Sequence, residues 1–539
     1  MKAPCARGGR GTARAPELTD GARWNRVRLG TRVLLGLWVG LGISALLAEE
    51  RGSGLSHALN SIVVPDLSRH ADYLASDDLE GREAGAKGGH LAGDYLVAEL
   101  KRLGFAGAAE DGVYTQSFPP NFRNVLGLLE GRDPKLKQQV VVLAAHYDHV
   151  GYGNRRNSLG PIGYIHNGAD DNASGTSGVL EVAEALTLLP SPPKRSVLIA
   201  FWDAEEKGLL GSKHWTAHPT LPLQRVVLAI DVDMIGRLRQ DRILVFGSRG
   251  GYGLRSFISQ QNRETGLSLE FSWLMKGNGD HFSFFQQEIP SLLFSTGEHE
   301  DYHRPSDKPQ RLVHDGMQRV ARLLFQVLYE AAEQDATFAF RPAARNESPE
   351  VERALWQQQP RLADRLGASV QDVRWSASPV VTQVVPGSPA DRAGLRLGDR
   401  IGQWAGRPIH RSSELAGLLP MSAASVQMHV FRSGMGEALP LQVELEGKPM
   451  RLGITWRSDD AEPGSIVLTH VVPDSPAARA GLAIGDRVLQ VGGQPLKDDK
   501  DFSTRVQALP DSGELLIERG GILLRLVVPF DADPARQAA

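Results

Sequence analysis

Residues 140–149 read VVVLAAHYDH. Val140–Ala145 is an unbroken apolar run, and it leads straight into His146, Tyr147, Asp148 and His149. A short run of that kind reads as a strand buried on both faces, as in the middle of a parallel sheet. The polar group then stands at the strand's carboxyl end. The pattern recurs outward along the chain. Ser196–Phe201 (SVLIAF) leads into Trp202-Asp203-Ala204-Glu205-Glu206, and Val226–Ile230 (VVLAI) leads into Asp231-Val232-Asp233-Met234. Ile243–Phe246 and Ser291–Phe294 are further apolar runs, and the second is followed by His299 and Asp301-Tyr302-His303. Helical spacing occupies 55–105, broken by a polar, Gly-rich loop at the end of ADYLASDDLEGREAG, and recurs at 175–189, 206–216, 251–265 and 314–335. Strands alternating with helices predict an α/β domain over 51–340, built on a mostly parallel mixed sheet flanked by helices.

The carboxyl ends of strands in such a sheet open onto a shared crevice. Four strand ends carrying His and acid therefore point to one place, together with the turn Asn167–Gly175, NGADDNASG. Taken alone, Asp171 reads as a helix cap, Glu205-Glu206 as a solvated helix start, and His303 as a loop residue. Brought into one cleft, the same carboxylates repel one another and are costly to bury without cations. Mixed oxygen and imidazole donors suit zinc. Two ions sharing one carboxylate would balance the charge.

The motifs HYDH, GADDNASG, WDAEEKGLLGS, DVDMIG and DYHRPSD, in this order, resemble the cocatalytic di-zinc exopeptidases of the aminopeptidase Y and glutamate carboxypeptidase kind, over roughly residues 60–315. The resemblance implies two zinc ions per chain. It places His146 and Asp233 on one zinc, Glu206 and His303 on the other, and Asp171 between them, with a cis peptide at Asp171–Asn172. It also implies that Asp148 orients His146, that Glu205 is the general base, and that Tyr302 donates to the developing oxyanion. Asp280 and His281, in the loop GNGDH, are expected to shape the substrate pocket. His299 competes with His303, but the family motif places the ligand after Tyr. His149 and His166 fall outside the ligand positions and read as residues that line or cap the loop. The implied activity is that of an aminopeptidase acting on peptides or proteins. A carboxypeptidase, a single-zinc glutaminyl cyclase and an inactive peptide-binding protein are the alternatives on the same fold.

Beyond residue 341 the chain becomes polar through 341–364 and then repeats itself. VVPGSPADRAGLRLGDR begins at Val384 and VVPDSPAARAGLAIGDR at Val471, 87 residues apart, with 13 of 17 positions identical. Each copy resembles a PDZ domain, the first over 365–446 and the second over 447–531, with a tail at 532–539. In such domains a peptide adds a strand to a sheet edge while loop N–H groups hold its terminal carboxylate. Leu452, Gly453 and Ile454 form the loop that fits this pattern, whereas the first copy has Ala368 at the last position. The resemblance makes C-terminal peptides the expected partners.

Residues 1–50 carry basic residues ahead of an uncharged apolar run, Val33–Ala48. That is the pattern of an export signal or of a retained single anchor, which would place the rest of the chain in the periplasm or outside the cell. The only cysteine, Cys5, lies in this leader, so disulfides, cysteine-based zinc sites and thiol catalysis are excluded after it. A net charge of −3 gives no basic face for nucleic acid.

Overall fold

In a computed structural model of the chain, residues 53–357, 364–510 and 512–529 are described. The leader, including 33–48, and the tail lie outside the described residues. Among the described residues no helix is long and apolar enough to cross a membrane.

The apolar runs pair as their composition requires. Val140–His146 (β4) lies between two parallel neighbours, Ser196–Trp202 (β5) and Val226–Val232 (β6), and Ser291–Ser295 (β9) continues the parallel set beyond β6. Alternate residues of β4 serve the two faces. Val140, Val142 and Ala144 pack with Trp202, Trp215 and Phe284 on one side. Helices Gly175–Thr187 and His314–Glu333 cover the other. With Arg242–Phe246 (β7), Ser268–Phe271 (β8) and three amino-terminal strands, Ala106–Gly107 (β1), Thr115–Phe118 (β2) and Phe122–Leu129 (β3), the sheet runs β1-β3-β5-β4-β6-β9-β7-β8, with β2 on β3. The expected mixed sheet is present, and 55–105 is helical on both sides of the Gly-rich loop read from the sequence. It holds helices Val64–Leu74 and Lys87–Arg102, separated by the turn that carries Gly81 and Arg82. Strands β1–β3 and β8 and helix His281–Gln286 add to the elements read from sequence. β2 and β8 alternate or expose their residues, so they lack the continuous apolar run that marks a buried strand.

The two repeats form two sheets of the same topology, one from strands between Ala368 and Glu444 and one from strands between Ile454 and Pro529. The second repeat is fixed to the α/β domain by ions that water scarcely reaches. The Arg249 guanidinium donates to both oxygens of Asp459 at 2.9 and 2.8 Å and to both oxygens of Glu347 at 2.7 and 2.8 Å, and it lies 3.8 Å over the Trp273 ring. Arg487 donates to the same Asp459 at 2.6 Å, and Arg255 to Glu518 at 2.8 Å. Glu462 accepts from the N–H groups of Arg255 and Ser256 at 2.8 and 3.1 Å. It thereby satisfies free donors at the start of helix Leu254–Gln261. Backbone bonds from Leu269 to Gly520 and from Gly253 to Ala461 complete the contact. This repeat is therefore packed on the α/β domain.

Candidate metal centre

The four strand ends and the Asn167–Gly175 turn do converge. His146 closes β4, Asp233 follows β6, Glu205 and Glu206 follow β5, and His303 lies in the loop after β9. His146 Nε2 lies 3.3 Å from Asp171 Oδ1 and 3.3 Å from Asp233 Oδ1. His303 Nε2 lies 3.1 Å from Asp171 Oδ2 and 3.1 Å from Glu206 Oε2. Asp171 thus offers one oxygen to each group. Two donors bound tetrahedrally to one zinc at about 2.0–2.1 Å stand about 3.3 Å apart, so both groups fit that ion. The groups are His146, Asp171, Asp233 and His149, Asp171, Glu206, His303, with ligand atoms within 4.8 Å of one another in each.

The turn that carries Asp171 is held from three sides. Asn172 donates to Val232 O at 2.8 Å and accepts from Gly175 and Met234 N–H, which locks this turn to the strand end carrying Asp233. A cis peptide joins Asp171 to Asn172, at the bond the motif singled out. Asp307 Oδ2 accepts the N–H groups of Asp170 and Asp171 at 2.9 and 3.2 Å. Arg82, fully buried, donates to four main-chain carbonyls: Tyr147 at 2.9 Å, Leu74 at 2.5 Å, Asn167 at 2.6 Å and Gly168 at 2.9 Å. One guanidinium therefore spans the loop of His146 and the loop of Asp171. Its acceptors are all neutral. Burial lowers its pKa to about 10, while nearby Asp171, Asp148, Asp307 and Glu206 oppose that shift and keep it charged.

The charges of the cluster are strongly interdependent. Burial raises the Asp171 carboxyl, but His149, His146 and His303 outweigh it and hold the group well below the usual carboxylate range. Burial also opposes protonation of His303, yet Asp171 and Glu206 push it up to about 11. Burial raises Glu205 well above its ordinary value, with Glu206, Asp280 and Asp233 adding to the shift and His146 opposing it. Glu205 stays out of both ligand groups and lines a cleft of about 290 Å³ with Glu206, Gly208, Leu209, Lys213, Gly277, Asn278 and Tyr302. Its N–H donates to Asp148 Oδ1 at 3.0 Å. His146 Nδ1 lies 3.2 Å from the main-chain oxygen of Asp148 and 3.7 Å from its carboxylate. Asp148 therefore stands between His146 and Glu205, holding the imidazole chiefly through its backbone. The Tyr302 ring stacks on His303 with centroids 3.9 Å apart.

Other sequence candidates fall elsewhere. Asp280 and His281 are buried beneath the cleft, where Asp280 accepts from Ser212 at 2.5 Å and His281 N–H donates to Asp231 at 3.0 Å. Gly277 and Asn278 are the residues of that loop that line the cleft, whereas Asp280 and His281 are buried. His299 pairs with Asp170 at 3.1 Å, outside both ligand groups. His166 bonds Ser158 at 2.7 Å. His149 differs from the sequence reading, because its Nδ1 lies 2.8 Å from Glu206 Oε1 beside the second ligand group and does not merely line the loop. Arg82 and Asp307 were not singled out at all, since nothing local in GREAG or RPSD marks a partner tens of residues away.

Residues 124–328 match peptidase family M28, and residues 380–429 and 467–519 match PDZ domains. The chain is 29% identical over 223 residues to aminopeptidase YwaD of Bacillus subtilis, covering 40% of this chain and 45% of that protein. It is 38% identical over 128 residues to aminopeptidase NAALADL1 of Rattus norvegicus, covering 23% of this chain and 15% of that protein. The chain thus spans less than half the length of these curated relatives. Among solved structures, the LapA aminopeptidase of Legionella pneumophila is 20% identical with a TM-score of 0.43, covering 52% of this chain and 75% of that chain.

Proposed function

From a chain that belongs to peptidase family M28 through residues 124–328 and carries two PDZ domains, we propose a zinc-dependent metallo-exopeptidase, an aminopeptidase, with two zinc ions per chain. The observation that carries the reading is Asp171, whose two oxygens face two separate imidazole–carboxylate groups at 3.1–3.3 Å. His146, Asp171 and Asp233 would hold one ion, and Asp171, Glu206 and His303 the other. Bound zinc would polarise the scissile carbonyl and make hydroxide available near neutral pH. Glu205, at the cleft wall and off the ligand groups, accepts the proton of the attacking water and returns it to the leaving nitrogen. Tyr302, in the same wall, donates to the oxygen on which charge develops. A single-zinc cyclase has no use for a carboxylate poised between two donor groups, which disfavours that alternative.

The basic, then apolar leader supports export to the periplasm or beyond, with the apolar run 33–48 as signal or anchor. A mixed peptide library treated with zinc-loaded protein and read by mass spectrometry is expected to lose residues from the amino end only. Chelation should stop the trimming. Trimming from the carboxyl end, or unchanged trimming in chelator, would overturn the assignment.

The two PDZ domains divide their work. In the second, the N–H groups of Leu452 and Gly453 meet no acceptor among the described residues. Beside them, with Ile454, lies a largely apolar groove of about 410 Å³ lined by Leu452, Ile454, Trp456, Ser503 and Val506. In the first, Asp364 Oδ1 already accepts from Leu366 and Gly367 N–H at 3.2 and 2.7 Å. The second domain therefore takes the peptide end and the first is capped by its own carboxylate. A peptide ending in an apolar residue with a free carboxylate is expected to bind at least about tenfold more tightly than its C-terminal amide, since a charged hydrogen bond contributes about 1.5–3 kcal/mol. Ser503→Arg should abolish that binding. Equal binding of acid and amide, or full binding by Ser503→Arg, would refute it.

A further inference from the structure

His149 belongs to the same HYDH motif as His146, yet it serves the other half of the centre. Its ring is fully buried, with Nδ1 2.8 Å from Glu206 Oε1 and 3.8 Å from Asp171 Oδ2. Glu206 meets His303 with its other oxygen, Oε2, at 3.1 Å. The carboxylate is thus divided, with Oε2 facing the donor group and Oε1 facing His149. An ionised carboxylate only accepts hydrogen bonds, so the contact requires a proton on Nδ1 of His149.

The chain keeps room for this ring and fixes it. A Cβ at Gly168, whose φ is +54°, would stand 2.1 Å from Asp171 O and 2.5 Å from His149 Cδ2, so glycine there lets both the turn and the imidazole pack close. The His149 N–H donates to Arg82 O at 3.1 Å, on the residue whose guanidinium ties the two ligand loops together. The His149 and His303 rings meet edge to face with centroids 5.5 Å apart. Backbone, ring plane and facing glycine all hold Nδ1 on Glu206.

We infer that His149 is a positioning residue for the second metal position: its Nδ1–H occupies Glu206 Oε1, so that Glu206 offers the metal Oε2 alone. The inference rests on the zinc reading proposed above. Holding Glu206 to one donor oxygen leaves a coordination place for water or substrate, the feature that separates catalytic from structural zinc sites. Partners that orient metal ligands in this way typically contribute 10–100-fold to metal affinity or activity.

The test is zinc uptake by the full chain, measured by competition with a chromophoric chelator, with the thermal midpoint of the metal-free protein followed in parallel. His149→Ala is expected to weaken the second zinc about 10–100-fold while the first is unchanged. In His149→Asn the amide nitrogen falls near the place of Nδ1 and restores affinity. In His149→Gln it falls near Nε2 and does not. A purely structural role would lower the thermal midpoint of all three alike and leave zinc affinity within twofold of the parent, which would overturn the inference. Asn as weak as Ala would overturn it too, because the imidazole would then act by its lone pair or by packing. Should the alanine variant fail to fold, the contrast between Asn and Gln decides. A parent chain that takes up fewer than two zinc ions removes the zinc reading itself, an outcome visible before any variant is compared.

Discussion

Glu205→Gln is expected to lower kcat by about 10²–10⁴, the range attributed to a positioned general base, while both zinc ions stay bound. The amide has the size and shape of the carboxylate but cannot accept the water's proton. Glu205 is absent from both donor groups, and its backbone is held by Asp148 Oδ1, so the substitution leaves the ligands in place. Burial, Glu206, Asp280 and Asp233 together raise its carboxyl, which makes it a stronger base than a free glutamate. The neighbouring Glu206→Gln makes the contrast. Glu206 faces His303 and His149, so its loss should show first as weakened zinc binding. Steady-state kinetics with metal analysis on both variants separates the roles. Glu205→Gln with kcat within tenfold of the parent would refute the base assignment.

What could be read from sequence was whatever a local pattern expresses. VVVLAAHYDH declares a strand covered on both faces, because no residue in Val140–Ala145 could face water, and in the fold none does. The five residues His146, Asp171, Glu206, Asp233 and His303 come together because each sits just past a strand or turn that a buried sheet must bring to one edge. The duplicated VVP–GDR segment announced two like domains for the same reason. Illegible were the relations that depend on a partner far along the chain. Arg82 reads as an ordinary charged residue until Tyr147 and Gly168 are seen to offer it their carbonyls. His149 reads as a loop residue until Glu206, 57 positions away, turns an oxygen toward it. For Asp280 and His281 the motif's resemblance fixed the place in the loop, but not that Gly277 and Asn278 would line the cleft while these two are buried. Neither repeat carried any sign that one of them would be bolted to the α/β domain.

Removing the bolt should have the largest effect on stability. Asp459→Ala is expected to destabilise the docked second PDZ domain by about 3–5 kcal/mol, the usual cost of deleting one partner of a buried ion pair. The Asp459 side chain is 1% exposed and serves Arg249 and Arg487, whose own side chains are 11% and 4% exposed, so its loss leaves Arg487 without its shortest ion pair and Arg249 relying on Glu347, out of reach of water. Asp460 is the control. It pairs with Arg341, but its side chain is 67% exposed, so Asp460→Ala should cost less than about 1 kcal/mol. Acid should reproduce the larger effect in the parent chain. Burial opposes ionisation of Asp459, but Arg487 and Arg249 overcome it and hold the carboxyl well below the usual range. A depressed carboxyl lends stability in full above its unfolded value of about 3.9 and loses it as pH falls below that toward the folded value. Docking should therefore weaken below about pH 4 in the parent and be far less acid-sensitive in Asp459→Ala. Urea unfolding, with limited proteolysis of the polar segment around 341–364 to report release of the domain, measures both. An Asp459→Ala midpoint equal to that of Asp460→Ala would mean that the domain is held by backbone and apolar contacts alone, and that the ion network only follows the geometry.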